Sequence, residues 1–232
     1  GVALFEAAFS SQTFSRHAHE GFSIGAIAEG AGGYVCRGER MVLPAGTLSL
    51  MNPEEPHTGH AAAGHVRYNM LYVTEEAVRD LLAPVRLRGF AEIAPPDRGL
   101  LLRRALTSLA RRLNAAPHPD WRLAAEEAVH EVLALAFTHY GRADLRPAGH
   151  EPVTVARLRE EIAAGVDEGR DLTLGGLAAS AGLSPSYFIR SIARETGMTP
   201  HAHVLRCRVT RARSLLLQGV PAAEAALAAG FC

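Results

Sequence analysis

The chain has 232 residues, 48% of them hydrophobic, and its 24 basic side chains balance 24 acidic ones. Such a composition excludes a disordered chain and leaves material for two packed domains. No apolar run approaches the roughly 18 residues that span a bilayer. No signal-peptide pattern opens the chain, and three widely spaced cysteines (Cys36, Cys207, Cys232) make no disulfide framework. A reducing, cytoplasmic setting is expected, with no membrane partner.

The neutral total conceals a gradient. Residues 1–74 carry four Arg against six Glu, whereas residues 184–218 carry six Arg against Glu195 alone. A local basic cluster is the electrostatic footprint of a nucleic-acid face, although a solvated helix shows the same.

From residue 1 to about 74, runs such as "GFSIGAIAEG", "GGYVCRG", "GTLSLMN" and "VRYNMLYV" are punctuated by Gly, Pro and Asn and read as short strands. In the last run Tyr68, Met70 and Tyr72 share one face and Arg67, Asn69 and Leu71 the other. Many short antiparallel strands in one small domain imply a barrel or double-sheet roll over residues 1–96, with residues 85–93 adding a late strand. From about residue 97 the period lengthens. Leu102, Leu106, Leu109 and Leu113 fall on one helical face, and "PDWRLAAEEAVHEVLALAFTHYG" forms a second amphipathic helix with Asp120 as N-cap and Gly141 as stop. These helices, 97–140, either cap the barrel or pair with a second copy, and a homodimer is expected. Residues 141–152 read as a linker. Residues 153–232 then form an all-helical domain, so the fold class is α+β and multidomain.

Within that last domain, Thr173 caps a short helix, Gly182 supplies a left-handed turn, and Ser184 caps the next helix with Pro185 at its first position. Helix, tight turn, helix is the geometry of a DNA-reading helix-turn-helix, and equally of an ordinary helical hairpin. A second observation bears on the choice. "GGLAASAGLS" at 175–184 matches "AEAALAAGFC" at 223–232, Ala178 with Ala226, Ala181 with Ala229 and Gly182 with Gly230. The chain thus holds one complete motif and half of another, and the expectation is that it is cut, or loses order, before a second reading helix. Gly1 in place of Met points the same way at the other end. Between the motifs, Thr199 and Pro200 open a long helix that Gly219 closes. Its span of about 27 Å suits two reading helices set in successive major grooves, about 34 Å apart.

Over essentially its whole length the sequence resembles the AraC/XylS family of bacterial transcription regulators. The resemblance is carried by "TLGGLAASAGLSPSYFIRSIARETGMTPHAHVLRCRVTRARSLLLQG" with the tail "AALAAGF", and more weakly by "FSRHAHEGFSIGAIAEG" with "LPAGTLSLMNPEEPHTG". It implies a cupin-like effector barrel joined to a double helix-turn-helix domain that binds operator DNA. Ser184, Ser186, Tyr187, Ile189, Arg190 and Arg194 are the DNA-binding candidates on the first reading helix, and Arg206, Arg208 and Arg211 those on the long helix. Arg190 suits guanine or phosphate and Ile189 a thymine methyl. Ser191 departs from the pattern, standing where the family buries an apolar residue.

For the effector site the candidates are His17, His19, Glu20, His57, Tyr68 and Tyr72. His17 and His19 are two apart on an expected strand and share a face. Metal-binding cupins add a Glu that this sequence lacks, since Phe22-Ser23-Ile24 holds no carboxylate. Three readings stay open: an organic-effector pocket, a divalent Zn or Fe held by His17, His19 and His57, or satisfied polar groups inside a barrel. His60 and His65 are expected in a solvent-facing loop. No catalytic residue is assigned, and the alternative from another class is a cupin-type metalloenzyme with an accessory helical domain.

Overall fold

The computed structural model describes residues 1–231 apart from 84, 116, 117, 146, 148, 150 and 151, and leaves out the side chains of 152 and 153. Cys232 and part of the expected 141–152 linker therefore lie outside the described residues. The chain divides into two compact units, one of residues 1–80, 84–111 and 131–145, the other of residues 81–83, 112–130 and 146–232. The helical region 97–140 is thus not a body of its own. It is shared out between both units.

The first unit is an antiparallel roll of six strands: β1 (Val2–Phe9), β2 (Thr13–His17), β3 (Phe22–Cys36), β4 (Glu39–Pro44), β5 (Leu48–Met51) and β6 (His57–Val73). The order is β1-β6-β3-β4, with β2 also on β6 and β5 also on β3. Two long strands replace the short ones expected from sequence. β3 unites "GFSIGAIAEG" with "GGYVCRG", its register shifting between Ile27 and Glu29 and again between Gly30 and Gly32. Such irregularities bend a strand without ending it, so its first half pairs β5 and its second half β4. β6 likewise pairs β2 through residues 57–60 and β1 through residues 66–73. His60 and His65 are therefore strand residues, not loop residues, although both side chains are exposed.

Residues 85–93 form no strand. They run beside β5, where Leu50 N–H donates to the Ile93 carbonyl at 2.8 Å and Phe90 N–H donates to Asn52 Oδ1 at 2.6 Å. Gly89, at φ +75°, breaks the extended conformation a ladder needs. Phe22, Phe90 and Phe137 close the core, with ring centroids 4.8 to 5.5 Å apart.

Helix α1 (Glu75–Leu82) was not among the elements read from sequence, yet Thr74 Oγ1 caps it by accepting from Ala77 N–H at 3.3 Å. Helix α2 (Leu100–Leu113) buries Leu102, Leu106 and Leu109 as the periodicity requires, together with Ala105 and Ala110. Leu113, expected on the same face, is 39% exposed. Helix α3 (Trp121–His139) gives residues 121–130 to the second unit and 131–139 to the first.

The second unit also contains α4 (Pro152–Glu168), α5 (Leu174–Ser180), α6 (Pro185–Thr196), α7 (Pro200–Leu217) and α8 (Ala222–Ala228). Thr173, Ser184 and Thr199 cap α5, α6 and α7 through their side chains. Gly182 and Gly230 take the turns after α5 and α8 at φ +67° and +83°, the left-handed region Gly enters at little cost. One apolar cluster, including Leu158, Ile162, Leu177, Phe188, Ile192 and Val204, holds the helices together.

Candidate functional site

A cavity of ≈ 540 Å³ opens into the roll. Its wall is set by strand register. β2 and β6 place His17 directly opposite His57, and β3 and β6 place Ser23 opposite Tyr72. His19 lies just beyond the end of β2, so no ladder aims it, yet its ring still joins the others. Imidazole centroids lie 4.4 Å (His17 to His57), 5.0 Å (His17 to His19) and 5.2 Å (His19 to His57) apart, and Tyr72 sits 4.7 Å from His19. Tyr68 and Met70 also line the cavity, sharing the face with Tyr72 that alternation assigned them. Glu20 does not join them: it is exposed and lines no part of the cavity. Sequence reading missed four aromatic lining residues, Phe5, Phe9, Phe14 and Tyr34, of which Tyr34 lies in a run read as a strand without its faces assigned.

Glu6 is the one acidic side chain among the described lining residues. Burial, reinforced by the charges of His57 and His17, lowers the pKa of His19. Burial likewise lowers that of His57, against the hydrogen bond to the Glu55 carbonyl, which raises it. Burial pushes Tyr68 up to about 12 and raises Tyr34 and Tyr72 as well. Burial therefore favours the uncharged forms of His19, His57, Tyr34, Tyr68 and Tyr72 at the cavity wall. None of the described lining residues is Arg.

This donor set fits a transition metal. Nδ1 of His17 lies 2.7 Å from the Ser15 carbonyl and Nδ1 of His57 lies 3.0 Å from the Glu55 carbonyl. A carbonyl only accepts, so each Nδ1 carries the proton and each Nε2 keeps its lone pair, the orientation that metal-binding histidines use. One ligand atom from each of His17, His19 and His57 lies within 4.8 Å of the others. Three imidazoles without a carboxylate leave a position open for an exogenous ligand.

The nucleic-acid candidates in the second unit are arranged otherwise than the sequence implied. Ser184 is the N-cap of α6, accepting from Tyr187 N–H, and its hydroxyl also donates to the Ala83 carbonyl at 2.7 Å. Ser186 is fully buried, and Tyr187 and Ile189 are buried too. Arg190 is half-buried, its Nε donating to the Ser186 carbonyl of its own helix, and burial lowers its pKa. Arg194 and Arg206 are exposed. Arg208 corrects the sequence reading most sharply. It is 5% exposed and paired in bidentate fashion with Asp120 at 2.6 Å for each contact, while Nη1 donates to the Ala229 carbonyl. Asp120 thus begins α3 as expected, but its carboxylate serves α7. Arg211 bonds the Val166 carbonyl and Asp167 on α4. Ser191 is buried at its unusual position, and its hydroxyl has no partner among the described residues.

Comparison with known proteins gives matches over both units. Residues 1–133 match the AraC-like ligand binding domain and residues 177–232 a helix-turn-helix domain. YbfI of Bacillus subtilis (strain 168), described as an uncharacterized HTH-type transcriptional regulator, is 26% identical over 228 residues, which cover 95% of this chain and 80% of that protein. Two solved structures are more distant. The conserved SPY1581 protein of unknown function from Streptococcus pyogenes is 19% identical, with 33% of this chain and 67% of that one covered at a TM-score of 0.31. A cupin superfamily protein from Desulfitobacterium hafniense DCB-2 is 12% identical, with 32% and 68% covered at a TM-score of 0.30. Scores this low establish no shared fold.

Proposed function

This chain belongs to the family of transcription regulators built on an AraC-like ligand binding domain, and from that membership we propose how its two units divide the work. The cupin-like barrel takes a small-molecule effector, and the helix-turn-helix unit binds operator DNA with α6 as its reading helix. The observation that carries the effector half is the convergence of His17, His19 and His57 with Tyr68 and Tyr72 on one cavity. The imidazoles and phenols offer donors and acceptors, and Glu6 is the one acidic group among the described lining residues, which suits a hydroxyl- or carbonyl-bearing molecule without negative charge and with an apolar body. A divalent Zn or Fe on the three histidines would add a Lewis-acid anchor for an oxygen of that molecule. Differential affinity of the effector for two arrangements of the protein then changes DNA affinity by linkage.

The working form in this proposal is a cytoplasmic homodimer. Leu100 and Leu101, 51% and 60% exposed at the start of α2, support it; a chain that sediments as a monomer at high concentration would contradict it.

Selection from random duplexes of about 40 base pairs, roughly four helical turns, at fixed salt tests the DNA half. A thermal-shift screen of neutral polar compounds against wild type and His57→Ala tests the effector half. We expect an enriched motif and a compound that stabilises only the wild type. No enriched motif refutes DNA reading, and stabilisation that survives His57→Ala removes the effector from this pocket. Turnover of a compound that His17→Ala abolishes would support a cupin-type metalloenzyme instead.

A further inference from the structure

The helix proposed to read DNA is covered. Ser186, Ile189 and Arg190 stand at i, i+3 and i+4 of α6 and so share one face. Ser186 is 0% and Ile189 8% exposed, and Arg190 is half-buried. The stretch Arg112–His130 belongs to the same compact unit as α6. Its Leu123 joins the apolar cluster that contains Ile189, and its His130 lies near enough to Arg190 to feel the guanidinium charge. We propose that Arg112–His130 is an autoinhibitory cover on α6, and that reading of bases by this face requires its release. This rests on the DNA-reading role proposed above for α6.

Three carboxylates fasten the cover. Asp120 holds Arg208 of α7. Glu126 Oε2 accepts from Leu174 N–H at the start of α5, and Glu127 Oε1 accepts from His201 N–H in the first turn of α7, each at 2.6 Å. A fourth fastening, Arg122 to Asp171 at 3.0 Å, is solvent-exposed. All of these are polar contacts that water can replace on opening.

Two features mark the closed arrangement as releasable rather than a permanent core. The first is unmet polarity. Ser186 Oγ, His130 Nε2 and His201 Nε2 are buried without a hydrogen-bond partner among the described residues. Arg190 is half-buried, and its Nε donates to the Ser186 carbonyl of its own helix. Natural interiors satisfy such groups, and these would regain water or meet DNA once uncovered. The second is independence. The helices α5, α6 and α7 are capped by Thr173, Ser184 and Thr199 from their own flanks, and the buried cluster that contains Phe188 and Ile192 takes Leu123 alone from the cover among the described residues. Most of the apolar cluster that holds the motif therefore lies outside the cover. Since α3 continues into residues of the barrel unit, it is also the covalent path by which a change there reaches the cover.

The double variant Glu126→Ala/Glu127→Ala, in the full chain, tests the proposal. Its melting curve and circular dichroism establish folding. Hydroxyl-radical footprinting at Ile189 reads the cover, and fluorescence anisotropy with the random duplex pool reads DNA affinity. We expect stronger labelling at Ile189 and binding at least about tenfold tighter than wild type, equivalent to about 1.4 kcal/mol. A folded variant labelled like wild type, or one labelled more strongly yet binding no tighter while wild type binds, overturns the cover. Should neither protein bind DNA, the DNA-reading role of α6 fails, and the footprint alone still decides whether Arg112–His130 covers it. The milder Glu127→Gln, scored identically, stands in if the double variant melts early.

Discussion

Acid should weaken the second unit through one buried imidazole. His130 is 4% exposed, and burial, with the nearby Arg190 charge adding to it, lowers its pKa from 6.5 to about 4. In the unfolded chain the same ring titrates near its ordinary 6.5. A depressed folded pKa means that the folded state resists the proton, so stability is complete above about pH 6.5 and declines as pH falls toward about 4. A gap of about 2.5 units at 1.36 kcal/mol per unit gives on the order of 3 kcal/mol at most from this group. His201, in the same unit, is also lowered to about 4 by burial, with Arg112 contributing, so the wild type should lose more than His130 alone explains. Urea unfolding from pH 7.5 down to about 4, followed by the fluorescence of Trp121, the single tryptophan, reports on this unit. His130→Leu should recover part of the acid-dependent loss, leaving the His201 share. Parallel profiles for wild type and His130→Leu across that window would falsify the assignment of the loss to this ring.

Two further outcomes follow from packing and backbone geometry. Phe137→Ala should cost about 3–5 kcal/mol, because the ring is fully buried with centroids 4.8 Å from Phe22 and 5.1 Å from Phe90; urea titration showing a loss below about 1 kcal/mol would mean the trio is not packed as described. Gly182→Ala should cost about 1–2 kcal/mol for its positive φ alone, since nothing lies within 4 Å of the added carbon, whereas Gly230→Ala should cost more because that carbon would collide with the Arg208 guanidinium. Equal effects in denaturation would remove Arg208 from the turn.

Local signals in the chain were strong wherever the physics is local. The caps Thr173, Ser184 and Thr199 and the left-handed turns at Gly182 and Gly230 were all legible from residue type and spacing, because a side chain reaching its own backbone needs no distant partner. The shared face of Tyr68, Met70 and Tyr72 was legible for a similar reason, period-two geometry. Helix α1 was readable in principle from Thr74 followed by Glu75 and Glu76, a capping signal passed over beside the stronger strand pattern.

What the order of residues could not reveal was which surfaces end up dry. Periodicity puts Ser186, Ile189 and Arg190 on one stripe of α6, but only distant chain segments determine whether that stripe meets water. Arg208 looks like one more exposed arginine on a basic helix, yet Asp120, 88 residues away, takes two of its three side-chain nitrogens. His19 reached the pocket from beyond its strand, and Glu20 beside it did not. Capping and alternation are decided within a few residues, whereas burial and ion pairing depend on what the rest of the chain brings alongside, and the two histidines of β2 and β6 became one site only because antiparallel register set His17 against His57.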